Sequence, residues 1–209
     1  MKKFQKTFVL AAALMSLYAG SACWSGQAAV EGSASWLATA QAAEQEEAWR
    51  SDVDAASQDD TMAYNIYIGK SMQACIQDLE KQGWKRVEGE EIPFYTKEKK
   101  GYLHAIALHP HPDHKDLVGS YRVRFYVKDR NMADEMYMRA EKNFSYNFGR
   151  PSIKRGNMNE TWMLNDSFAI VVEYNEYDVR IPIVQEFYPY EIVIKREMGD
   201  YKKFFEGRK

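Results

Sequence analysis

Residues 118–149 read VGSYRVRFYVKDRNMADEMYMRAEKNFSYNFG, and the hydrophobic period changes partway through them. Tyr121, Val123, Phe125 and Val127 alternate with Arg122, Arg124, Tyr126 and Lys128, the period of two that marks a half-buried strand. Ala133, Met136, Tyr137, Ala140 and Phe144 then recur at helical spacing, which gives one apolar stripe for burial. Asn131 is placed to cap that helix, and Gly149 followed by Pro151 ends it. A strand of mixed polarity running into an amphipathic helix predicts an α+β fold with an antiparallel sheet.

Upstream, Ser71 is placed to cap a helix carrying Met72, Cys75, Ile76 and Leu79 on one side, with Gly83 stopping it. Strand-like runs follow at 84–88, 93–98 and 102–109, before the 118–128 strand. Downstream of the second helix, runs at 160–164, 168–174, 179–185 and 190–196 complete the pattern. Pro182 places the third of these at an edge or a bend. The predicted order is helix, four strands, helix, four strands, within a single α+β domain over 63–198. Two tandem helix-plus-four-strand units would account for it. This arrangement is similar to the β-lactamase-inhibitor-protein-like fold and to small outer-membrane assembly lipoproteins sharing that unit. The likeness is one of topology and carries no functional residue to this chain.

The N-terminal segment predicts export. Lys2, Lys3 and Lys6 precede the apolar run from Phe8 to Tyr18, the charge and length pattern of a signal peptide. At about eleven residues that run is too short to span a bilayer. Cleavage is expected between positions 22 and 42, so residues 1–42 are read as signal peptide. Cys23 sits where a lipoprotein would carry its anchor, although Gly20 replaces the usual aliphatic residue three positions before it. The expected location is periplasmic or secreted, with lipid anchoring through Cys23 as the alternative. Residues 43–62 hold Glu44, Glu46, Glu47, Asp52, Asp54, Asp59 and Asp60 with few apolar positions, which reads as an acidic flexible linker. Residues 199–209 read as a basic and aromatic C-terminal tail.

Composition bounds the functions. The 209 residues include 28 Lys plus Arg and 30 Asp plus Glu, a formal charge of −2. No excess of positive charge is available to gather nucleic acid. Two cysteines make no disulfide framework. Cys75 falls on the buried stripe of its helix, and no G-x-S-x-G elbow is present. Gly69-Lys70-Ser71 lacks the earlier glycine a phosphate loop needs, because Tyr64 occupies that position.

All four histidines lie between 104 and 114. His109, His111 and His114, with Asp113, form a conceivable zinc or copper site, whereas His104 falls on the opposite strand face. Arg122, Arg124, Tyr126 and Lys128 share one face and form a candidate interaction ledge. The favoured expectation is a non-enzymatic exported module with no cofactor, binding a protein partner in the cell envelope or outside the cell. The alternative is a metal-binding protein, potentially a hydrolase, built on the His109/His111/His114 loop.

Overall fold

The computed structural model describes residues 48–59, 61–156, 158–177 and 186–206. The predicted signal peptide, Cys23 and the predicted 179–185 strand lie outside them. The first described element is a helix, α1, over 48–57. A small hairpin follows, β1 (Met62–Ala63) and β2 (Ile66–Tyr67), and then helix α2 (Met72–Lys81). Strands β3 (Lys85–Arg86), β4 (Phe94–Lys99), β5 (Tyr102–Pro110) and β6 (Val118–Val127) lead into helix α3 (Arg130–Phe148). Strands β7 (Ile153–Lys154), β8 (Asn159–Asn165), β9 (Phe168–Glu176) and β10 (Tyr190–Met198) precede a short helix, α4 (Lys202–Glu206).

The larger sheet has eight strands in the order β3-β4-β5-β6-β10-β9-β8-β7, and every recorded pairing in it is antiparallel. The order runs outward from a central β6–β10 pair to the short strands β3 and β7 at the two edges. Helices α1, α2 and α3 pack on one face. Trp49, Val53, Ala56, Cys75, Leu79, Met136 and Phe144 join Tyr95, Ile106, Val123, Ile170 and Ile192 in one core. The α+β class follows directly from these layers.

Local chemistry explains most boundaries. Ser71 caps α2 as its sequence predicts, its hydroxyl accepting from the Ala74 amide. The cap of α3 is Asp129 rather than Asn131, because the Asp129 carboxylate accepts from the Met132 amide at 2.8 Å. The helix therefore starts two residues earlier than periodicity indicates. Its buried stripe consists of the five predicted residues. The β1–β2 hairpin was not foreseen. Its turn residues Tyr64 and Asn65 have φ of 54° and 63°, the left-handed pair that closes a two-residue hairpin. A tyrosine pays conformational energy there. Its ring packs edge-on against Trp84 and His104, and its hydroxyl donates to the Asp52 carbonyl at 2.8 Å.

The linker expected over 43–62 is corrected for 48–59, so the fold begins before position 63. Trp49, Val53 and Ala56 are buried in the core. Two of the acidic residues that suggested a tether, Asp52 and Asp54, hold distant parts of the fold. Asp54 receives a two-pronged ion pair from Arg139 of α3, at 2.7 and 2.5 Å, and a third bond from Asn143. Asp52 accepts from the Tyr102 hydroxyl at 2.6 Å. At the C-terminal end of α1 the fully buried Arg196 of β10 donates to the carbonyls of Ala56 and Asp59, placing a cation at the negative end of the helix dipole.

Candidate functional site

The sheet face opposite α1, α2 and α3 is where unusual chemistry collects. Alternation puts Leu103, Ala105, Ala107 and His109 of β5 there, beside Arg122, Arg124 and Tyr126 of β6 and Glu191, Val193, Lys195 and Glu197 of β10. One end is apolar: Phe94, Leu103, Ala105, Ala107, Tyr126 and Tyr188 form a second small core. Moving away from it, the face becomes polar and then basic.

Glu191 is 1% exposed, so its charge needs partners to remain in the fold. Arg124 Nη1 donates to one carboxylate oxygen at 3.0 Å. The Tyr177 hydroxyl and Asn175 amide donate to the other at 2.7 and 3.1 Å. Arg124 also reaches the Tyr126 hydroxyl at 3.1 Å. Part of the predicted ledge is therefore corrected. Arg124 and Tyr126 lie on the expected face, but they are members of a buried polar network rather than free contact groups. Lys128 pairs with Glu186 at 2.6 Å and lies over the Tyr188 ring.

Arg122 differs from its neighbours. It sits directly opposite Lys195 across the β6–β10 pair, a like-charge juxtaposition that destabilises a sheet. Lys195 is compensated by Glu197 at 2.5 Å, and Arg124 by Glu191. Arg122 makes no ion pair within 4.0 Å among the described residues. Its Nε is buried without an acceptor, as is Nε2 of nearby His109. Burial, then the charges of Arg122, Arg124 and Lys195, push the His109 imidazole down from its usual range, which favours the neutral ring.

The histidine loop does not assemble as its spacing predicts. His109 lies on the sheet face, and a register shift separates it from Pro110. His111 and His114 approach one another, with ring centroids 5.4 Å apart, while His111 Nδ1 accepts from the Asp113 amide at 3.2 Å. Among the described residues, no three His, Cys, Asp or Glu side chains converge as a metal site. Gly119 holds this loop close to the sheet: a Cβ there would stand 2.5 Å from His111 Cα, a contact that only glycine avoids.

His104 takes the opposite, helix-covered face, as alternation predicts. It is buried and stacks on Phe125 at 4.4 Å, with Trp84 edge-on at 4.8 Å. Its Nδ1 is 3.5 Å from Asp52 Oδ2, and neither ring nitrogen makes a hydrogen bond. Burial pushes this imidazole down, against the pull of Asp52. Burial alone would raise the Asp52 carboxyl; the close approach of His104, the Tyr102 hydrogen bond and the charge of Lys99 outweigh it and hold it at about 2. His104 itself is buried and reads as part of the core, with Asp52 and Lys99 at its partly exposed margin.

Sequence reading missed Glu191, Tyr177 and Asn175. Glu191 carried one available signal, an acidic residue alternating outward beside Val193 and Lys195. Pairing register, which selects Arg124 as its partner, is not written locally. No helix among the described residues is long and apolar enough to cross a membrane. No family model, curated protein or solved structure matches the chain.

Proposed function

We propose that this chain is an exported, non-enzymatic module that binds a protein partner of the cell envelope through the sheet face opposite its helices. The observation that carries the reading is Arg122: a partly exposed residue set against Lys195 and without an ion pair among the described residues, while the adjacent Arg124 and Lys195 are paired. A like-charge pair costs stability in the free protein, and proteins keep such costs where function requires them. The basic N-terminus and short apolar run support export.

Photocrosslinking in cells tests this. A photoreactive residue at Ser120 or Thr161, on the proposed face, is expected to give a discrete adduct that is lost when Arg122 becomes Glu. The same residue at Met138 on α3 should give none. Adducts from Met138 alone, or adducts insensitive to Arg122, would refute the reading.

A further inference from the structure

We infer that the partner presents a carboxylate, the side chain of an Asp or Glu, to Arg122 between His109 and Lys195. This rests on the binding reading above and adds the chemistry of the contact.

Residues directly opposite in an antiparallel pair hold their Cβ atoms about 4.5–5.5 Å apart, so Arg122 and Lys195 form one patch. His109 is on the same side of β5, two residues beyond Ala107, the β5 partner of Arg122. Arg122 Nε and His109 Nε2 are both buried without partners. A buried donor left unmatched is costly; since both atoms are closed to solvent, an incoming acceptor meets the terminal Nη groups of the guanidinium, and His109 forms the wall beside it.

Charge selects among anions. With Arg124 held by Glu191 and Lys195 by Glu197, Arg122 is the cation of this patch without an ion pair among the described residues. A singly charged group neutralises it. A doubly charged phosphate would bring surplus negative charge beside Glu197, and beside Glu173, which is diagonal to Lys195 on β9. The planar fork of a guanidinium also matches a carboxylate in two parallel bonds. One such pair is weak in isolation. A protein partner adds the buried area around it, whereas a free small acid does not, so the source is an acidic side chain.

The test is nitrogen-resolved NMR of arginine Nε–H groups in the folded mature chain. Titration with N-acetylglutamate α-amide, whose only charge is the side-chain carboxylate, is expected to shift the Arg122 signal saturably, with half-saturation on the order of 10 mM. Arg122→Lys keeps the charge but loses the fork, and is expected to weaken binding several-fold as read from neighbouring amides. Arg130→Gln should leave the titration unchanged. Inorganic phosphate is the competing probe: a response to phosphate and not to the carboxylate overturns the inference. An Arg122 signal that stays fixed while Arg122-dependent crosslinks persist also overturns it and leaves the binding reading standing. If both the shift and the crosslinks are absent, both fall.

Discussion

At Arg122 stability and recognition oppose each other, and a substitution can separate them. Arg122→Leu removes the repulsion from Lys195 and the unmatched Nε while keeping an apolar stem on the sheet. The free protein is expected to gain about 1 kcal/mol, near 2–4 °C in Tm for a chain of this size; partner adducts should disappear. Thermal melting checks the first outcome, and a fall in Tm would contradict it. His104 supplies the pH dependence. Its native pKa is depressed, so the unfolded state takes up the proton first. Its contribution is complete above about pH 6.5 and is lost as pH falls below that value. His109 adds a limb of the same sign. Asp52, held at about 2 in the fold, contributes above about pH 4 and loses this between pH 4 and 2. His104→Phe, which keeps the stack on Phe125, is expected to reduce the loss between pH 6.5 and 5. Urea titrations at several pH values measure this; an unchanged slope would exclude His104 as its source.

Among the elements, α1 shows where sequence patterning misleads. Residues 43–62 look like a tether because Asp and Glu dominate, and composition does not reveal whether an acid faces water or a partner. Asp54 meets Arg139, 85 positions away, and Arg196 reaches Ala56 across 140; such contacts have no local signature. By contrast, α2, α3 and β6 were legible because a 3.6 or two-residue period is imposed by burial of one face alone. The short pairs β1–β2 and β3 lack enough residues to display a period. In the site, Arg122 and its face were readable from alternation, while the sequestration of Arg124 by Glu191 depended on strand register. Trp49→Ala distinguishes a packed α1 from a tether. A packed helix predicts destabilisation of about 3–5 kcal/mol, measured by chemical denaturation, and a tether predicts almost none. Arg196→Leu is expected to cost about 2–3 kcal/mol by stripping the α1 terminus of its donor.

Among the described residues, Arg124 and Lys195 on the helix-free face are each held by a carboxylate, and Arg122 between them is not. The histidines divide between the core, the sheet face and a loop, so zinc or copper added to the purified domain is expected to leave Tm unchanged. Stoichiometric uptake abolished by His111→Ala would instead favour the metal-binding alternative. The helix-free face is central to the functional account, and affinity for the crosslinked partner measures it most directly. Arg122→Glu places a carboxylate where one is to be received, and is expected to weaken binding at least 30-fold, about 2 kcal/mol or more, with the melting temperature retained. Lys142→Glu on α3 should bind like the native chain. Equal affinity of the native protein and the Arg122→Glu variant would contradict the account.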